Sequence, residues 1–245
     1  MSDKPIALVV GAGSAIAQAI IKKLLAEDGL SSLIAVSRTG KAPASVPEDP
    51  RLRWLSSDYH EGSIAAVAEQ LAEHEGEISR VFICTGILHD AEVQPEKRLE
   101  DLNEAAVQRV FAANTFTPML WLKHLKPLLP RREEAVITVF SARVGSITDN
   151  RKGGWYTYRA SKAALNMALK TASIELRRTH RGLRILAFHP GTTDTPLSKP
   201  FQGSVPGDKL FSPEFVAEKL LSLVADLPGD SGIEFRDWEG KTVSW

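Results

Sequence analysis

Short apolar runs alternating with stretches of helical periodicity predict an α/β domain whose helices cover both faces of a parallel sheet. Two observations carry this. Most of the runs read as largely continuous apolar segments rather than alternating ones, as strands buried on both faces must. A glycine turn also follows the first run and leads straight into a helical pattern. In order, the strand-like runs are Ile6–Val10, Leu33–Ser37, Leu52–Ser56, Val81–Cys84, Val136–Phe140, Arg184–Phe188 and a weaker Gly232–Phe235. The helical stretches are Ser14–Glu27, Ser63–Glu75, Asn103–Leu129, Tyr156–Arg178 and Pro213–Ala225. This pattern predicts about seven strands in one doubly wound parallel sheet, with a single domain over residues 1–245. Pro118 interrupts the longest helical stretch and predicts a kink or division there. Two segments read as irregular, Gly86–Glu100 and Pro190–Ser212. The second, rich in proline and glycine, reads as a substrate loop or lid.

Composition excludes more than it names. The 245 residues carry 30 Lys+Arg against 30 Asp+Glu, a formal net charge of zero. Nucleic acid and anionic membrane surfaces both select a basic excess, so neither is expected as a partner. Cys84 is the sole cysteine, which excludes an internal disulfide and, with no signal peptide or membrane span in the pattern, predicts a cytoplasmic protein. His60, His74, His89, His124, His180 and His189 fall on different elements without metal-ligand spacing, so no metal is expected.

The first turn reads Gly11-Ala12-Gly13-Ser14-Ala15-Ile16-Ala17. Such a turn exposes backbone N–H groups at a helix N-terminus, where a dinucleotide's pyrophosphate is stabilised. Ala15 and Ala17 stand where the strictest fingerprints have glycine, and the bland alternative is a turn that merely joins strand to helix. The second run ends at Ser37-Arg38. An acid there would bind the ribose of NAD, whereas arginine can pair with a 2′-phosphate, so NADP(H) is favoured and NAD(H) is the second option. A solvated arginine is the alternative. Asp58, after the third run, could accept from an adenine amino group, cap a helix, or do both.

Tyr158 and Lys162 stand four residues apart, hence on one face of a helix. A cation beside a phenol favours phenolate and would lower its pKa from about 10, making Tyr158 a general acid/base for carbonyl–alcohol interconversion. An amphipathic helix with a half-buried tyrosine and a surface lysine is the alternative.

With these motifs the chain resembles the short-chain dehydrogenase/reductase family over nearly its whole length. The stretch Ser141 to Asn166, with Gly145-Ser146-Ile147, Asp149-Asn150, Gly153-Gly154 and Tyr156, is similar to the C-factor/sniffer group of carbonyl-reductase-like members. The resemblance implies a Rossmann fold, NAD(P)(H) binding and a homodimer or homotetramer packed through the helices after the fourth and fifth strands. It places Tyr158 and Lys162 in catalysis and Asn114 in a proton relay. Thr85-Gly86 then ends the segment after the fourth strand. Pro190, Gly191, Thr193 and Thr195 line the nicotinamide, with Thr195 at its carboxamide. One departure stands out: the family's catalytic serine position, three residues before Gly145, is Ala142. Ser141 is the expected replacement and Ser146 the runner-up. The third alternative is that no serine serves.

The function implied is an NADP(H)-dependent oxidoreductase acting on a small, hydrophobic aldehyde, ketone or alcohol, with Trp155, Phe201 and Phe211 on the substrate side. The competing reading is a nucleotide-binding sensor that does little chemistry, motivated by Ala142.

Overall fold

The computed structural model describes residues 5–229 and 232–245. β1 (Ile6–Val10) is buried on every residue, and α1 (Ala15–Leu25) turns Ala17, Ile20, Ile21 and Leu24 inward. β2 (Ser32–Ser37), β3 (Leu52–Ser56), α2 (Glu61–Gln70) and β4 (Ile78–Ile83) follow. β4 begins three residues before the apolar run that announced it, because Ser79 and Arg80 are polar yet half-buried at the foot of the sheet.

The longest helical stretch divides into α3 (Glu104–Phe111), one π-helical turn over Ala112–Phe116, and α4 (Thr117–Leu125). Pro118 lies at the start of α4, so the division falls just ahead of it. In a regular α-helix its ring would meet the carbonyl of residue 114. The wider π turn relieves that conflict, and it carries Asn114.

β5 (Ala135–Phe140), α5 (Tyr156–Leu176) and β6 (Leu183–His189) come next. The proline-rich segment is less irregular than its composition predicts. β7 (Thr192–Thr193) pairs in parallel with β8 (Leu210–Phe211) around a 3-10 turn at Lys199–Ser204. α6 (Pro213–Ala225) and β9 (Ile233–Asp237) complete the order.

The main sheet runs β3-β2-β1-β4-β5-β6-β9, seven strands, parallel at every pairing. Strand order reverses between β1 and β4, which opens a crevice at their carboxyl ends where such sheets take ligands. Each face is covered. Ile6, Leu8 and Val10 pack with α2, α4 and α5, whereas Ala7 and Val9 pack with α1 and α6. Burial of both faces removes polar alternation from the central strands, whereas the edge strands β3 and β9 keep polar residues at Arg53, Glu234 and Arg236. Among the described residues no helix is long and apolar enough to cross a membrane.

Candidate active site

The glycine turn lies in the β1–β4 crevice. Gly11 adopts φ +80°, and a Cβ there would come within 3.0 Å of the Cys84 carbonyl carbon, so only glycine fits between the two strand ends. The amides of Gly11 and Ala12 both donate to Val36 O, at 3.0 and 2.9 Å, which ties the turn to β2. Gly13, by contrast, has none of the described residues within 4 Å of where a Cβ would sit. Ser14 caps α1 by accepting from the Ala17 amide at 3.3 Å, and Ile16 packs partly buried against the α1–α6 layer. The Cys84 thiol is pushed up by burial, so it stays protonated and inert at the crevice wall.

At the end of β2 the buried Ser37 hydroxyl accepts from the Gly40 amide at 3.1 Å. Arg38 is exposed, its carbonyl accepting from Ser56 Oγ at 3.0 Å. Its charge and the Gly11 backbone both pull down on the Tyr59 phenol, which burial nevertheless raises to about 12. Arg38 and the glycine turn are therefore neighbours across Tyr59. Asp58 accepts from the His60 amide at 2.9 Å. The N-cap position of α2 is His60, so Asp58 shapes the turn into the helix and is not its cap.

Tyr158 and Lys162 share a face of α5, with Lys162 Nζ 6.0 Å from the phenol ring centroid. Lys162 is 3% exposed, and its ammonium donates to Phe140 O at 2.8 Å. Gly145 makes this possible: a Cβ there would sit 2.8 Å from Lys162 Cβ, so only glycine lets the turn after β5 lie on α5. Asn114 is fully buried. It accepts from the Ile87 amide at 2.8 Å and donates to Ile87 O at 2.9 Å and Ser161 Oγ at 3.1 Å. A Cβ on Gly86 would stand 3.1 Å from Asn114 Oδ1 and 3.4 Å from Lys162 Nζ, so these three converge at the mouth of the crevice.

Electrostatics here differ from the expectation. Burial raises the Tyr158 phenol to about 12 and lowers Lys162 to about 7. Desolvation penalises the charged form of each and outweighs the attraction that would favour phenolate. Tyr158 is thus held as a proton donor at neutral pH.

The serines are engaged elsewhere. Ser141, 4% exposed, donates to Asn166 Oδ1 at 2.6 Å. Ser146 accepts from the Asp149 amide at 3.1 Å and donates to Trp245 O at 3.5 Å. Ala142 is 8% exposed.

On the substrate side Trp155 packs edge-on to Tyr158 at 6.2 Å and to Phe201 at 5.0 Å. Phe211 does not join them. It packs on Phe215 and Trp238 beneath Gly191, where a Cβ would come within 2.6 Å of its ring. Pro190 precedes that turn, and Gly191 adopts φ +72°. The Thr85 and Thr193 hydroxyls are buried without partners among the described residues, and Thr195 Oγ1 donates to Thr193 O at 3.3 Å. Orphaned donors of this kind, with Thr85 next to Gly11 of the glycine turn, fit a polar dinucleotide lying along the crevice.

Two residues of this region carried no signal in the sequence. His89 Nε2 lies 3.1 Å from Leu197 O and 3.3 Å from Pro196 O, and its ring packs on Phe201 at 5.5 Å, joining the two irregular segments. Glu96, 5% exposed, binds the start of α5. In a charged loop such as Glu96-Lys97-Arg98 a carboxylate reads as solvated.

Residues 5–204 match the short chain dehydrogenase family. The chain belongs to this family. As a short-chain dehydrogenase it is 30% identical over 240 residues to 1-hydroxy-2-glutathionyl-2-methyl-3-butene dehydrogenase of Rhodococcus sp. (strain AD45), spanning 97% of this chain and 98% of that one. It is 32% identical over 147 residues to the C-signal of Myxococcus xanthus, 60% of this chain and 83% of that one. Its fold matches the carbonyl reductase Sniffer of D. melanogaster with a TM-score of 0.80 at 20% identity, covering 99% of this chain and 100% of that one. The resemblance to the C-factor/sniffer group drawn from the sequence is thereby upheld. Members of the short-chain dehydrogenase family use NAD(P) as cofactor.

Proposed function

We propose that this short-chain dehydrogenase interconverts a small aldehyde or ketone and its alcohol, with NADP(H) as the preferred cofactor and NAD(H) as the second option. The observation that carries the reading is the convergence of Tyr158, Lys162 and Asn114 above the glycine turn. The nicotinamide, when bound, supplies the hydride in reduction and accepts it in oxidation. Tyr158 gives its proton to the carbonyl oxygen, and its raised pKa suits that direction at neutral pH. Lys162, fixed to Phe140 O, orients the phenol and returns the proton. Asn114 holds the loop at Ile87 that borders them.

The pyrophosphate would rest at Gly11, Gly13, Ser14 and Ile16, and the adenosine end at Ser37, Arg38 and Asp58. Thr85, Gly86, Pro190, Gly191, Thr193 and Thr195 would line the nicotinamide end. Trp155, Phe201 and His89 favour a hydrophobic substrate. Phe116, Met167 and Ile174, each more than half exposed on the helices after β4 and β5, support a homodimer, which sedimentation equilibrium distinguishes from a monomer.

Tyr158→Phe should abolish carbonyl-dependent NADPH oxidation while NADPH affinity changes little. Wild-type turnover in that variant would overturn the mechanism. In the same assay Arg38→Asp should shift preference toward NADH, and an unchanged preference would remove the role given to Arg38.

Ala142, together with the engagement of Ser141 and Ser146, favours a second reading: a nucleotide-binding sensor of slow chemistry. Losing one donor to a developing oxyanion costs on the order of 10²–10³ in rate. Ala142→Ser should therefore raise kcat by about tenfold or more if chemistry is the function. No turnover of either form on a carbonyl panel, with NADPH bound tightly, would favour the sensor.

A further inference from the structure

The catalytic helix begins on strained backbone. Gly153, Gly154 and Trp155 are all left-handed, with φ +65°, +66° and +53°. Two of these positions are glycine, for which the conformation is free, whereas Trp155 adopts it against its Cβ. Trp155 occupies the N-cap position of α5 and provides no side-chain cap. The first amides of a 21-residue helix would thus lack acceptors from their own chain segment.

Those acceptors come from the loop after β4. Glu96 O accepts from the Trp155 amide at 2.5 Å. One Glu96 carboxylate oxygen accepts from the Thr157 amide at 3.2 Å, and the other accepts from the Thr157 hydroxyl. The glutamate is buried, and a negative charge at a helix N-terminus is electrostatically favourable. From the other side Arg159 donates through Nε to Gly154 O at 2.9 Å and through Nη2 to Gly153 O at 3.1 Å. The left-handed turn is held by the Glu96 carbonyl and the Arg159 guanidinium, and the Glu96 carboxylate holds the first turn of α5 that follows it.

What the clamp fixes is the start of α5 itself. Tyr158 is the residue after Thr157, and the Trp155 ring set by the turn lies against both Tyr158 and Phe201. A helix start free to fray would move the phenol, and a misplacement of about 1 Å costs on the order of 10² in rate.

We propose that Glu96 is a positioning residue that caps the catalytic helix from the neighbouring loop and thereby sets Trp155 and Tyr158 in register with the substrate. The proposal rests on the function proposed above for Tyr158, but the cap has a readout independent of turnover. Glu96→Ala, Glu96→Gln and the wild-type protein are compared by NADPH-dependent carbonyl reduction and by amide hydrogen exchange at Trp155 and Thr157.

Glu96→Ala should lower kcat by about 10- to 100-fold with NADPH affinity unchanged, and speed exchange at Thr157 by about tenfold or more. Glu96→Gln, which keeps an acceptor for the Thr157 amide, should restore most of both. Thr157→Val, which removes only the hydroxyl bond, gives a milder loss of the same kind and serves if Glu96→Ala does not fold. Wild-type exchange in Glu96→Ala would overturn the cap. Faster exchange with wild-type kcat would overturn the positioning role. A wild-type protein that reduces no carbonyl defeats the proposed function instead, and the exchange rates then judge the cap alone.

Discussion

Lys162 and Tyr158 each sit where burial disfavours their charged forms, and this has consequences in the absence of any substrate. An unfolded lysine keeps its proton to about pH 10.4, whereas Lys162 in the fold releases it near pH 7. Between these values the unfolded chain binds the extra proton, so stability rises with pH from about 7 to about 10. Tyr158 acts in the opposite sense at higher pH: the folded phenol keeps its proton to about 12, while the unfolded one loses it near 10. Stability therefore falls over that upper interval. Lys162→Met should flatten the rise between pH 7 and 9.5, measured as the urea midpoint of the ligand-free protein. An undiminished rise would show that other groups cause it. The Tyr158–Lys162 spacing was legible in the sequence, but the balance of burial against attraction was not. It depends on the Phe140 carbonyl and on Gly145 pressing the β5 turn onto α5. Both contacts join segments distant in sequence.

Each strand and helix owes its legibility to a local cause. Runs buried on both faces lose polar alternation, so β1 stands out as an unbroken apolar segment and β5 as one interrupted by the buried Thr138. β4 is longer than its apolar run because Ser79 and Arg80 lie half-buried at the foot of the sheet, where Arg80 pairs with Glu27. The π turn at Asn114 follows from Pro118, which announces a disruption but not its form. The β7–β8 pairing was hidden because Thr192–Thr193 and Leu210–Phe211 are too short to show any periodicity. Glycines near the crevice divide by what surrounds them. Gly145→Ala drives a methyl group into Lys162 and should destabilise by about 1–3 kcal/mol in a thermal or urea melt. Gly13→Ala meets open space and should leave that melt nearly unchanged while weakening NADPH binding. Equal melts for the two variants would contradict this division.

The molecule as a whole joins a rigid sheet to two less regular segments, and that joint explains why the site was harder to read than the fold. The order β3-β2-β1-β4-β5-β6-β9 brings the first turn and the ends of β4, β5 and β6 to one edge. Sequence spacing places residues on that edge but not the contacts between loops. His89 reaches Pro196 and Leu197, and Glu96 reaches Thr157, across intervals that no local pattern spans. Formal neutrality is likewise a balance of 30 basic and 30 acidic side chains, some of them paired across the fold, such as Arg143 with Asp237 and Arg109 with Asp90, rather than an uncharged surface. Arg38, exposed just after β2, carries the charge that the proposed function pairs with the cofactor. In the function proposed above, this edge transfers hydride to a carbonyl with Tyr158 supplying the proton. The most direct measurement follows deuterium from NADPH dideuterated at the nicotinamide C4 into the product of a hydrophobic aldehyde or ketone. The account predicts one deuterium on the carbinol carbon with the wild-type protein and none with Tyr158→Phe, although both bind NADPH. Tight NADPH binding by the wild-type protein with no label transferred to any carbonyl, or equal transfer by Tyr158→Phe, would contradict it.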